Sequence, residues 1–205
     1  MKPRSFYISI LTICIVAVFS GCYSPKNRSN SKLSKSFTRD TIQVGYTYWW
    51  PHSGPFIGIC GDRYALVFTG EINKINKPKK ESHLLVSSHK MIIEIEEILT
   101  VRNLEKNKYQ QQQLLSSNCC ENLDLEEGDN VIVFCYEYSG GYSIPGQNSI
   151  LKIEDSNTAI VKSIKKYIKA DQNPLVLKDD IVLWKQYGFE KDLTRIIACK
   201  QEIKK

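Results

Sequence analysis

The stretch "YALVFTGEINKI", Tyr64–Ile75, decides the fold. Leu66, Phe68 and Ile72 share one face of an extended chain, with Gly70 between them. A period of two is the mark of a half-buried strand, because successive side chains point to opposite faces. Gly70 interrupts the apolar face. A glycine inside a strand marks a sharp bend or a close approach of another backbone, and small barrels need such bends.

Working outward, "SHKMIIEIEEILTV", residues 88–101, repeats the pattern, with Ile93 and Ile95 on one face and Glu94 and Glu96 on the other. Glu97 breaks the register and predicts a bulge, with a short helix as the competing reading. "VIVFCYEY", residues 131–138, is apolar on both faces and reads as a central strand launched by the turn at Gly128–Asp129. "SILKI", 149–153, is a short strand. Between these, 102–120 is polar and holds a weak strand or a turn of helix, and "SGGYSIPGQN" reads as a loop tip. Residues 45–61, "GYTYWWPHSGPFIGICG", have no period and read as an irregular entry segment.

The helical signal comes late. Asp155 and Ser156 are good N-caps, and Ile160, Val161, Ile164, Tyr167 and Ile168 follow a 3.6-residue period. Two further short helices are predicted. One spans about 179–187, with Trp184 and Tyr187 inward and Gly188 at its end, and the other about 190–203, with Leu193, Ile196 and Ile197 inward. Strands first and helices last, with uneven strand spacing, predict a mainly β fold: a small OB-like Greek-key barrel over 41–155, with C-terminal helices over 156–205 packed on it.

The order of these segments resembles tissue-inhibitor-of-metalloprotease-like domains, also called netrin-like, which are OB-fold barrels. Phe68-Thr69-Gly70-Glu71-Ile72 is similar to their first strand, and Cys119 or Cys120 with Gly128-Asp129-Asn130-Val131-Ile132-Val133 to their later corner and strand. The resemblance covers roughly 60–155. In the inhibitors, the amine and carbonyl of an N-terminal cysteine chelate the zinc of the protease.

The first forty residues are of another kind. Lys2 and Arg4 precede an apolar run, Phe6–Phe19, and the small pair Ser20–Gly21 leads to Cys22. A positive start, a short apolar core and small residues at its end make a secretory signal over 1–21. Roughly 20 apolar residues are needed to span a bilayer, and this run is shorter. Phe19-Ser20-Gly21-Cys22 resembles the lipobox of bacterial lipoproteins, with Phe where Leu is usual. That resemblance implies cleavage before Cys22 and a diacylglycerol on its sulfur, with the new amine acylated. The lipid anchor then places the protein on the cell membrane or outer membrane, facing the periplasm or exterior. Each buried methylene contributes about 0.8 kcal/mol, so two or three acyl chains hold stably where one does not. Blocking the amine of Cys22 removes the zinc-chelating group, so the inhibitors' mechanism does not carry over. Residues 22–40 are Ser-, Asn- and Lys-rich and read as a flexible tether.

The formal charge of +6 comes wholly from residues 1–40, since from residue 41 onward 21 Lys and Arg face 21 Asp and Glu. A nucleic-acid binder carries a basic face, and nothing in this balance provides one. "KINKPKKE", 74–81, reads as a solvated hairpin tip. Of the seven cysteines, Cys60, Cys119, Cys120, Cys135 and Cys199 remain after the signal and the lipid site. Exported chains form disulfides. Cys60 precedes the first strand and Cys119–Cys120 precede the central one, so a bridge from Cys60 to Cys119 or Cys120 is expected at one end of the barrel. No C-x2-C pair supports a zinc site, and no pattern requires a cofactor.

No catalytic motif is present. Tyr48 and Trp49 in the entry segment, with Tyr138 and Tyr142 around the Gly-Gly loop, gather aromatic rings beside Gly and Pro. Such rings supply contact area at low entropic cost, and they are the candidate binding surface for another envelope protein or a glycan. The sequence therefore points to a lipid-anchored, non-enzymatic binding or structural module. The alternative is an envelope enzyme using thiol or Cys–His chemistry, with His52 beside an unpaired cysteine.

Overall fold

The computed structural model describes residues 41–47, 52–76, 89–119 and 123–203, all within one unit of the chain, Ser36–Lys205. The signal segment, Cys22, the tether, Tyr48, Trp49, Cys120 and most of the 74–81 tip lie outside the described residues.

The described strands are β1 (Thr41–Thr47), β2 (Leu66–Asn76), β3 (Lys90–Val101), β4 (Leu114–Asn118), β5 (Asn130–Tyr138), β6 (Gly141–Pro145) and β7 (Ile150–Lys152). They are followed by helices α1 (Ala159–Lys169), α2 (Ile181–Gln186) and α3 (Glu190–Glu202), with a 3-10 helix, Pro174–Asp180, between α1 and α2. Six strands close a mixed barrel in the order β2-β3-β4-β1-β6-β5, with β5 returning to β2 and β7 pairing on β5. The expected barrel and its C-terminal helices are both present.

β1 is the strand that the sequence reading assigned in part to the entry segment. It runs parallel to β4 on one side, Thr41 opposite Leu114, and parallel to β6 on the other, Gly45 opposite Ser143. Without β1 the ring order is that of a five-stranded OB-like barrel. β1 thus sits between two strands that would otherwise be direct neighbours. Its seven residues do alternate, with Ile42 and Val44 buried and Gln43 and Gly45 exposed, but the run is short and its last three residues merge with the aromatic entry segment.

Two cores share β5. Val131, Val133 and Cys135 point into the barrel with Leu66, Phe68, Ile72, Met91 and Ile93. Ile132, Phe134 and Tyr136 point outward and pack under the helices with Tyr167, Trp184, Leu193 and Ile196. A strand buried on both faces shows no alternation, which is why 131–138 reads as a continuous apolar run. The helical period in α1 buries Ile160, Val161, Ile164 and Tyr167 as expected, although its N-cap is Thr158 rather than Asp155 or Ser156. The bulge in β3 also forms: Thr69 pairs with Glu97 and Gly70 with Ile95, which leaves Glu96 as the extra residue.

The loop tip expected at "SGGYSIPGQN" is smaller than the sequence implies. Ser139 and Gly140, at φ 51° and 79°, form a two-residue hairpin turn, and β6 begins at once. Positive φ at both central positions matches the twist of paired strands.

The expected bridge from Cys60 to Cys119 or Cys120 is not formed. Cys60 is bonded to Cys199 in α3, 139 residues away, with Cα atoms 5.2 Å apart. Cys119 is disulfide-bonded as well. The reason lies in the entry loop, residues 52–63, which packs along the helices instead of closing the barrel end. The guanidinium of Arg195 in α3 donates to the carbonyl oxygens of Phe56 at 2.9 Å and Ile59 at 3.0 Å, and also to that of Gly58. The hydroxyls of Tyr64 and Tyr136 both donate to Pro55 O, at 2.7 and 3.0 Å. These bonds hold Cys60 against α3.

Candidate ligand-binding cleft

β2 starts one residue after Ala65, and its two neighbours run past it. The N–H of Ala65 donates to Cys135 O at 2.9 Å, and the N–H of Arg102 donates to Ala65 O at 2.7 Å. Beyond that point β2 no longer separates β3 from β5. Arg102 and Glu137 meet across the gap, Nη2 to Oε2 at 2.8 Å. The result is a cleft of about 220 Å³ lined by Asp62, Arg63, Arg102, Tyr136 and Glu137.

The turn after α1 fixes the other wall. Asp171 and Gln172 are consecutive non-glycine residues in the left-handed region, at φ 51° and 55°. That conformation costs roughly 1–2 kcal/mol per residue. It directs both side chains onto the loop before β2. Asp171 pairs with Arg63 at 2.8 Å, and Gln172 Oε1 accepts the N–H of Tyr64 at 2.8 Å. Arg63 is exposed at the rim yet attached at its base.

Tyr136 forms the floor. Burial, reinforced by neighbouring Tyr167, pushes its phenol well above the ordinary tyrosine range, and the charge of Asp62 adds to this. Tyr64 is raised by burial and by Tyr136 and Tyr167. Both phenols stay protonated and act as donors. The carboxylate of Asp62 is exposed and accepts no hydrogen bond from the described residues.

Of the aromatic residues singled out from sequence, Tyr138 is 43% exposed. Tyr142 is only 2% exposed, faces the barrel interior, and donates its hydroxyl to Arg102 O at 2.7 Å. The tight turn before it corrects the surface role expected for Tyr142: β6 begins immediately, and Tyr142 joins Ile144 on the inward face. The shared patch of Tyr48, Trp49, Tyr138 and Tyr142 therefore loses Tyr142, and Tyr48 and Trp49 lie outside the described residues. Tyr142 instead holds the backbone of a cleft arginine in place.

Asp62, Arg63, Arg102 and Glu137 were not singled out from sequence. Asp62, Arg63 and Arg102 sit outside strand ends, and Glu137 is next to the last residue of β5, so no periodicity marks them. The available signal was the position of Arg102 immediately after the apolar end of a strand. No protein-family model matches the chain, and no curated protein is similar enough to it to count as a relative.

Proposed function

We propose that this chain is a bacterial lipoprotein, anchored through acylated Cys22, whose barrel is a non-enzymatic binding module of the cell envelope. The observation that carries the reading is the Cys60–Cys199 disulfide. It ties the entry loop to the last helix and suits an oxidising, exported environment, the destination that the signal and lipobox resemblance imply. No described helix is long and apolar enough to cross a membrane. Kinship with the netrin-like domains belongs to the same proposal, and the OB-like ring order of β2–β6 supports it.

The enzymatic alternative draws less support. Cys135 is the free cysteine among the described residues. It is buried inside the barrel, and burial pushes its thiol well above the ordinary range. A nucleophilic cysteine needs the opposite shift and an open approach, and His52 is exposed in the entry loop. Recognition of an envelope protein or a glycan then falls to surface groups such as those around the cleft and Tyr138.

Metabolic labelling with a fatty acid tests the anchor. The wild-type chain is expected to take up label and to fractionate with membranes. The Cys22→Ser chain is expected to do neither. Labelling that persists in Cys22→Ser overturns the proposal.

A further inference from the structure

We propose that the cleft beyond the start of β2 binds a zwitterionic amino-acid group: a free amino acid or a short peptide presenting an ammonium and a carboxylate together. The inference rests on the binding-module reading and narrows its ligand.

The cleft contains both signs of charge in equal number, Arg63 and Arg102 against Asp62 and Glu137. A simple anion would find each arginine already facing a carboxylate. An apolar ligand would strip water from four charges and return nothing. A zwitterion offers an ammonium to Asp62 and a carboxylate to the arginine donors that Asp171 and Glu137 leave open.

The hydrogen-bond inventory points the same way. A guanidinium has five N–H donors in a planar fork. Within the described residues, Arg63 uses Nη2 on Asp171 and Arg102 uses Nη2 on Glu137. Each arginine is thus oriented by one carboxylate while its other donors remain for a second, the two-sided use that suits arginine. Arg102 is fixed further through its backbone, whose N–H reaches Ala65 and whose carbonyl holds Tyr142. Asp62 supplies a carboxylate that accepts nothing from the described residues, which is what an ammonium requires.

Size sets the upper limit. The volume of about 220 Å³ is below the roughly 300–1,000 Å³ of ordinary drug-sized sites. It fits an amino acid or a dipeptide and excludes a folded epitope. The strained pair Asp171–Gln172 has a role in this reading, since it places Arg63 and the Tyr64 backbone on one wall.

Calorimetric titration of the full chain in detergent micelles tests the site with three probes: glycylglycine, N-acetyl-glycylglycine and glycylglycinamide. Glycylglycine is expected to bind, and each blocked probe about tenfold or more weaker. Asp62→Asn is expected to remove the preference for the free amine and to keep the preference for the carboxylate. Arg102→Gln is expected to do the reverse. Arg63→Gln, at an exposed position, replaces Arg102→Gln should that chain not fold. No binding of glycylglycine at millimolar concentration overturns the proposal. So does equal binding of all three probes, or a preference that the variants leave unchanged. The titration does not depend on the lipid, so its failure leaves the anchored binding module standing, and loss of the anchor leaves the site standing.

Discussion

Gly70 lies directly against the carbonyl oxygen of Glu94, so close that a β-carbon on Gly70 would overlap it and would also stand only 3.2 Å from Ile93 Cγ2. The approach occurs where β2 coils past the β3 bulge, between the Thr69 and Gly70 pairings. Gly70→Ala is expected to lower stability by about 1–3 kcal/mol through overpacking against backbone. Gly45→Ala is the control, since its β-carbon would meet Ser143 Oγ at an ordinary 3.5 Å. Urea unfolding of the two variants checks the contrast. Equal midpoints would show that β2 and β3 can separate at no cost.

The Cys60–Cys199 bond closes a loop across a separation of 139 residues. A loop of that length is worth about 5 kcal/mol by closure entropy, and measured bridges usually give less. The Cys60→Ser/Cys199→Ser double variant is expected to lose about 3–5 kcal/mol of unfolding free energy. The Arg195 contacts to Phe56, Gly58 and Ile59 should keep the entry loop docked while the chain remains folded. Denaturant titration gives the loss, and peptide mapping without reductant gives the pairing.

Alkaline pH should destabilise the fold through its buried acids. Burial raises Cys135, and burial with neighbouring tyrosines raises Tyr64 and Tyr136; Tyr167 is raised by burial and by Asp62. Each of these groups keeps its proton in the folded state after the unfolded chain has lost it. Stability is therefore full below the unfolded values, near pH 8.5 for the thiol and 10 for the phenols, and falls as pH rises above them. The loss approaches about 1.4 kcal/mol per pH unit for each group ionised only in the unfolded chain. Urea midpoints measured from pH 7 to pH 11 should decline first gently and then steeply. A flat profile would contradict the burial of these phenols.

Ser117 sits in β4, opposite Val44 of β1, and its buried hydroxyl has no hydrogen-bond partner among the described residues. Ser116 and Ser143, which also pair with β1, are in the same condition. A buried hydroxyl without a partner costs about 1–3 kcal/mol in lost hydration. Ser117→Ala is therefore expected to leave stability unchanged or to raise it by about 1 kcal/mol. A clear fall in the thermal midpoint would show that the hydroxyl is bonded in solution.

The sequence was most legible where one face of an element meets solvent. The helical period from Ile160 to Ile168 maps onto one buried face, whereas in β2 Leu66, Phe68 and Ile72 face the barrel interior and Val67 and Thr69 on the other face are buried as well, so that strand is not half-buried as expected. β1 and β6 escaped because they are short and hold Gly, Ser, Thr and Pro, and their pairing is decided by strands far away in sequence. The Cys60 partner escaped for a related reason. Counting thiols limits the pairings, but only the docking of α3 on the entry loop selects Cys199. The charged cleft is hardest of all to read, because its residues belong to strand ends and turns, where neighbours are set by topology and not by period.

The insertion of β1 also has a mechanical consequence. In the anchored protein proposed above, any pull from the membrane enters the barrel at Thr41, the first residue of β1. Traction along the strand axis meets β4 on one side and β6 on the other. The two ladders then resist together, in shear, rather than opening one bond at a time like a zipper. Resistance to such traction is set by the rate of strand release and not by equilibrium stability. In that anchored protein β1 would act as a bonded splice between tether and barrel.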